Sequence, residues 1–202
     1  MRVPHAAHGV LGENQPCQAH FHRQEPSMPT PREQELEAAL EKSRAETRAS
    51  FENRALMYPY LYDELETEMG AQRATELMKR AIFRRGLEVG QKYREAAQAG
   101  DLAEVARLFV DGSPAGGAFF EPGVEELSPQ GDTVVLRMVS CPLKDAWRTA
   151  GYSAEKVDLL CEIAAAVDEG TFEGAGLDLT FLDRQACPGS EKCLLELRTR
   201  QG

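Results

Sequence analysis

Apolar positions recur at helical spacing through the first half of the chain and alternate in short stretches of the second half. Thr30-Pro31-Arg32-Glu33 is a helix start: Thr caps, Pro takes the first helical position, and Glu follows three residues after the cap. The stretch to about Met57 is rich in Glu, Ala, Arg and Leu, with a thin apolar stripe of Leu36, Leu40 and Phe51. Such a stripe predicts a helix on the surface or against a partner, and a homodimer is the expected assembly. Pro59 is expected to break or kink this helix. Tyr60 to Met69 continues as helix, and Gly70 ends it. The strongest helical pattern is Ala71 to Gln98, where Ala74, Met78, Ile82, Val89 and Tyr93 keep the spacing. Gly86 and Gly90 sit four apart on it. Each costs about 1 kcal/mol relative to Ala, so the pair predicts close approach of another element or of a ligand. Gly100 closes this stretch, and Asp101 with Glu104 opens a short helix, Leu102 to Val110.

The period changes after Gly112. Residues 113–117 read as a loop, and strands are expected over Ala118–Glu121 and Asp132–Ser140. Cys141-Pro142 leads into a short helix, Leu143–Thr149. Ser153 caps another, expected to end near Asp168. Two strands follow, with Leu177, Leu179 and Phe181 alternating in one and Cys193, Leu195 and Leu197 in the other. The pattern predicts an α+β fold, a helical N-terminal half packed on a small antiparallel sheet, as one domain over residues 31–202. Residues 1–30 carry Pro4, Pro16, Pro26 and Pro29 without apolar periodicity. They read as a disordered tail and not as a signal peptide. Met28 stands as an alternative translation start.

Charge and length narrow the function. The chain has 202 residues and a formal net charge of -10. So acidic a chain is a poor match for phosphate backbones or anionic lipid, which argues against nucleic-acid and membrane partners. No apolar run approaches the ~20 residues of a membrane helix. The reading is a cytoplasmic protein with a small-molecule partner.

All four histidines (His5, His8, His20, His22) fall in the tail, so the domain has no imidazole for a Ser-His-Asp triad, a Cys-His dyad or a histidine-based zinc site. Cys17, His20 and His22 have metal-like spacing but lack a second ligand cluster. The domain holds Cys141, Cys161, Cys187 and Cys193. A thiolate metal or iron–sulfur site is disfavoured, because no Cys-x-x-Cys pair exists; no metal and no cofactor are expected. Two readings stay open: small core residues, which suits Cys193 in step with Leu195 and Leu197, and one reactive thiol. Cys141 is best placed for the latter, where a strand gives way to a Pro-led helix start whose free N–H groups favour a thiolate.

Other residues carry paired readings. Cys161 and Asp168 are seven apart on one helix face, ~10.5 Å along the axis, with room for a small molecule between them. Asp168 near a helix end is otherwise an unfavoured carboxylate. Arg85 interrupts an apolar stripe, which suggests either an anchor for a substrate carboxylate or a salt bridge; Arg84 beside it faces elsewhere. Tyr60, Tyr62 and Asp63 either line a pocket or cap the core. Trp147, the only tryptophan, reads as a core anchor beside Cys141.

The stretch Leu65 to Tyr93 (above all Glu76-Leu-Met-Lys-Arg-Ala-Ile-Phe-Arg-Arg-Gly-Leu-Glu-Val-Gly90), then Cys141-Pro-Leu with Trp147, then Leu160-Cys161 with Asp168, then the Cys193 strand, together resemble the L-2-amino-thiazoline-4-carboxylic acid hydrolase family over roughly residues 50–198. Two segments depart from the family pattern, Cys187-Pro-Gly-Ser-Glu-Lys-Cys193 and the expected loop at 170–176. The resemblance implies hydrolytic opening of a small heterocycle at a C=N carbon to an N-carbamoyl amino acid. With no histidine in the domain, the hypothesis for this reaction is Cys141 or Cys161 as nucleophile, Asp168 as proton shuttle and Arg84 or Arg85 on the substrate carboxylate, with Tyr62 and Trp147 lining the site. A fainter likeness to small-ligand-binding domains of the vinyl-reductase and vesicle-tethering type keeps a non-catalytic binding module as the alternative.

Overall fold

The computed structural model describes residues 28–200. The expectations for residues 1–27, a disordered segment carrying Cys17 and the histidines, lie outside them. The helices are α1 (Pro31–Met69), α2 (Ala71–Gly90), α3 (Arg94–Gln98), α4 (Leu102–Asp111), α5 (Pro142–Thr149) and α6 (Ala154–Ala175). The strands are β1 (Pro122–Leu127), β2 (Thr133–Met138), β3 (Leu177–Asp183) and β4 (Cys193–Thr199), in the antiparallel order β1-β2-β4-β3. This is the α+β architecture that the spacing predicts. Among the described residues no helix is long and apolar enough to cross a membrane.

Helix α1 starts as expected: Thr30 and Glu33 form a reciprocal capping box. It does not break at Pro59. A proline inside a helix leaves the carbonyl four residues back without its donor, here that of Ala55. The indole Nε1–H of Trp147 donates to that carbonyl at 2.7 Å. The orphaned acceptor is thereby satisfied from α5, and the helix runs on through 39 residues. Its first four turns are exposed, Leu36 and Leu40 included.

Ala71 to Gln98 is not one helix. It passes through a tight 3-10 turn at Gln91–Tyr93 between α2 and α3. The strand expected over Ala118–Glu121 is a turn instead, with positive φ at Ala115, Gly116, Gly117 and Glu121, and the pairing moves on to β1. Helix α6 does not stop at Asp168. It continues to Ala175, with Gly170 and Gly174 inside it, and Gly176 caps it in the left-handed conformation.

Those glycines explain how α6 is held. A Cβ on Gly86 would stand 2.3 Å from the Val167 carbonyl oxygen, and one on Gly90 2.2 Å from that of Thr171. Reciprocally, a Cβ on Gly170 would meet the Phe83 oxygen at 2.1 Å, and one on Gly174 the Leu87 oxygen at 2.7 Å. Helices α2 and α6 thus meet backbone to backbone along two paired glycine steps, the close approach that the Gly86–Gly90 spacing announces. Arg94 closes the far end by donating from Nε and Nη2 to the Gly174 carbonyl.

Three apolar clusters share α6. Phe172 and Ala175 pack with Tyr93, Leu102 and Val105 against the sheet face of Val134, Leu136, Leu195 and Leu197. Val157 and Leu160 pack with Trp147, Leu143 and Ala55. Ile163 packs with Tyr62, Ala74 and Met78. A helix buried around most of its circumference forms the centre of a fold, and α6 does so here.

Candidate functional site

One cavity of about 370 Å³ opens where these clusters leave a gap. Its walls come from α1, α2, α4, α5 and α6 and from the inner face of β2, β3 and β4. Much of the wall is apolar, including Ile82, Phe109, Met138 and Phe181. Against that surface stand Asp168 and the thiols of Cys141, Cys161 and Cys193. A mostly apolar hollow with a few convergent polar groups is the usual form of a small-molecule site.

Each thiol arrives by a different route. Cys141 lies between β2 and α5, in extended backbone, with Pro142 at the first helical position. Cys161 projects from the middle of α6. Cys193 begins β4, opposite Met138 on the inner sheet face. Burial pushes all three thiols up, Cys161 to about 12 and Cys193 to about 11. Cys141 is also raised by burial, but the Lys144 and Leu143 backbone N–H groups of α5 and the Lys144 ammonium pull the other way. Lys144 is itself held, since its Nζ donates to Gln185 Oε1. Gln185 is nearly inaccessible; its side-chain amide donates to the Met138 carbonyl at 2.8 Å, and its backbone N–H donates to Cys193 Sγ at 3.4 Å. One buried glutamine therefore ties the lysine beside Cys141 to the thiol of Cys193.

Asp168 is the most perturbed acid in the cavity. It lines the hollow from α6, one residue after Val167 at the contact with α2. Burial, helped by the neighbouring Glu169 charge, pushes its carboxyl from the ordinary 3.8 to about 7. It has no ion pair and accepts no hydrogen bond among the described residues. Its charge bears on Tyr58, Tyr93 and Cys193, which places it at the junction of α1, the turn after α2 and the sheet.

Of the residues singled out from the sequence, Cys141, Cys161, Asp168, Arg85 and Trp147 line this one cavity. Arg85 sits at its exposed side, 66% accessible, bonded to Glu88 at 2.8 Å. Of the two readings of Arg85, the salt bridge is the one found, made with Glu88 on the same helix. The stripe is broken because Arg85 faces outward beside Gly86, whose own face is taken by α6. Arg84 is exposed and outside the cavity. Tyr62 is also outside it, buried in the cluster with Met78 and Ile163, with its hydroxyl on Glu66 and the Lys156 ammonium over its ring. The sequence reading missed Arg184 and Gln185, in the turn after β3. An Arg-Gln pair in an irregular segment carries no periodic signal; only the packing brings Arg184 to the cavity and Gln185 behind it, against Lys144 and Cys193. Arg184 donates from Nη2 to Asp158 at 2.9 Å, and its Nη1 is buried with no partner among the described residues. Among those residues, no group of three or more His, Cys, Asp or Glu side chains is disposed to hold a metal ion.

The arrangement brings one carboxyl and three thiols together in a mostly apolar hollow. The fold resembles a trafficking protein particle complex subunit 3 from Naegleria fowleri, solved covalently bound to palmitic acid. The two are 12% identical at a TM-score of 0.51, over 76% of this chain and 96% of that one. No curated protein matches the sequence. Residues 48–193, the span that builds the cavity, match the L-2-amino-thiazoline-4-carboxylic acid hydrolase family, and the chain belongs to that family.

Proposed function

We propose that the protein is a hydrolase that opens a small carboxylated cyclic amidine, of the 2-amino-thiazoline-4-carboxylate type, to an N-carbamoyl amino acid. The observation that carries this reading is Asp168, an unpaired carboxyl poised near neutrality in the same hollow as Cys141 and Cys161, in a chain whose family name implies a hydrolase. A general acid–base works best with a pKa near the working pH, and this domain has no histidine to supply one.

The chemistry runs in two balanced halves. The Cys141 thiol gives its proton to the Asp168 carboxylate as sulfur adds to the ring amidine carbon, and the C=N electron pair moves to nitrogen. Collapse expels the ring sulfur, which takes the proton from Asp168 and leaves an S-linked isothiourea on the cysteine. Water then gives a proton to Asp168 and adds to the same carbon. The cysteine sulfur departs, recovers that proton, and the carbamoyl product is free. Cys141 is preferred to Cys161 because the start of α5 opposes its burial, whereas Cys161 is pushed to about 12 with only Arg184 nearby in its favour.

Separate Cys141→Ser and Cys161→Ser variants, assayed for product by mass spectrometry, test this. Cys141→Ser is expected to lose turnover about 100-fold or more, while Cys161→Ser keeps most of it. The reverse result moves the nucleophile to Cys161. Full activity in both leaves water activated directly by Asp168.

A second reading, a non-catalytic ligand-binding module, draws on the apolar wall and on the palmitate-bearing structural neighbour. A melting shift with heterocyclic or fatty acids that leaves them unchanged, or an acyl adduct on Cys141, would favour it. Under either reading the cysteines of the described residues, all four unpaired, suit a reducing compartment, and we place the protein in the cytoplasm.

A further inference from the structure

Four cations border the cavity, and three already have company. Arg85 is bonded to Glu88 and exposed, Arg54 lies over the Phe51 ring, and the Lys92 ammonium lies over the Tyr93 ring. Arg184 differs. Its side chain is 20% accessible, and Asp158 fixes one arm of the guanidinium through Nη2. The other arm, Nη1, is buried without an acceptor among the described residues, and of their buried side-chain nitrogens and oxygens it alone is so. A buried guanidinium donor without an acceptor is costly, so such a group points to an acceptor that arrives with a ligand. Arg184 lines the cavity and lies near enough to Cys161 to favour its thiolate. A guanidinium N–H makes a strong charge-assisted hydrogen bond to a carboxylate.

We propose that Arg184, and not Arg84 or Arg85, anchors the substrate carboxylate, its guanidinium turning so that Nη1, covered while the cavity is empty, donates to the carboxylate and Nη2 stays on Asp158. The assignment rests on the hydrolase reading of the cavity and names its anchoring residue. It makes Arg184 a determinant of specificity for acids over neutral rings.

The test compares 2-amino-thiazoline-4-carboxylate with carboxylate-free 2-amino-2-thiazoline, by calorimetric binding and by product formation, on wild type, Arg184→Lys and Arg184→Gln. Wild type is expected to bind the acid about 10- to 100-fold more tightly than the neutral ring. Both variants are expected to erase that preference, with affinity for the neutral ring kept within about twofold and KM for the acid raised by the lost factor. Arg184→Lys keeps a charge for Asp158, so it reports even where Arg184→Gln fails to fold. If both fail, the wild-type preference decides. A wild type indifferent to the carboxylate overturns the anchor, as does a preference that survives in either variant. Product formed at the wild-type KM in the variants removes the anchor and leaves the hydrolase standing. An Arg184-dependent preference without any product leaves the anchor and removes the hydrolase.

Discussion

Among single residues, Asp168 sets the terms. In the unfolded chain its carboxyl ionises near 3.8, but in the folded protein near 7. Between those values the native state keeps a proton that the unfolded chain has released. Its burial is therefore harmless below about pH 4, and stability falls as pH rises from about 4 to about 7 and stays lower above. Asp168→Asn is expected to stabilise the protein at pH 8 by on the order of 2 to 4 kcal/mol and to have little effect at pH 4, read by denaturant melts. The same change is expected to lower kcat/KM by about 100-fold or more, and wild-type kcat/KM is expected to rise with pH through about 7 as the carboxylate forms. Cys141, Cys161, Asp168 and Trp147 were legible in the sequence because each stood at a helix start, on a helix face or as a lone aromatic. Arg184 and Gln185 were not, because their importance comes from what they lie against and not from where they fall in a repeat. Arg85 was left between an anchor and a salt bridge, and the salt bridge is found, with Glu88, beside the face that Gly86 gives to α6.

Among the elements, two devices hold the cavity walls. The first is the exchange between Pro59 and Trp147. Trp147→Phe removes the indole donor to the Ala55 carbonyl while keeping most of the ring volume, and is expected to cost about 1 to 3 kcal/mol in urea unfolding. Adding Pro59→Ala should recover part of that loss, because an alanine at this position supplies the missing amide. A double-mutant cycle therefore reports coupling between residues 59 and 147. The break expected at Pro59 failed because a local rule about proline met a long-range donor 92 residues away from the acceptor. The second device is the glycine contact of α2 with α6. Gly90→Ala would set a methyl 2.2 Å from the Thr171 carbonyl, backbone that cannot swing aside, and is expected to destabilise by about 2 to 4 kcal/mol in the same assay. Half of this contact was written in the Gly86–Gly90 spacing. Its partner half was read as a loop because Gly170, Gly174 and Gly176 look like punctuation until a second helix is placed against them.

For the molecule as a whole, the α+β layout followed from the change of period after Gly112, and the order β1-β2-β4-β3 from the packing. The cavity lies where all three apolar clusters border α6, so a ligand that fills it touches every layer. A bound carboxylated heterocycle is expected to raise the melting temperature by mass action, by about 2.7 kcal/mol of stability at a hundred times Kd. It should also slow amide exchange in α2, α6 and β4 together, while the first turns of α1, which are exposed throughout, continue to exchange freely.

The glycine seam also dictates where this scaffold can be re-engineered. Val167 and Gly170, two of the α6 residues that touch α2, flank Asp168, so any change that spreads the two helices also moves the acid within the cavity. Room for a bulkier ring must be carved from the opposite wall, at Phe109, Met138 or Phe181, where side chains and not main chain bound the hollow. Variation in what the pocket accepts belongs on the sheet and α4, and the joined pair α2 and α6 is the fixed jaw of the vice.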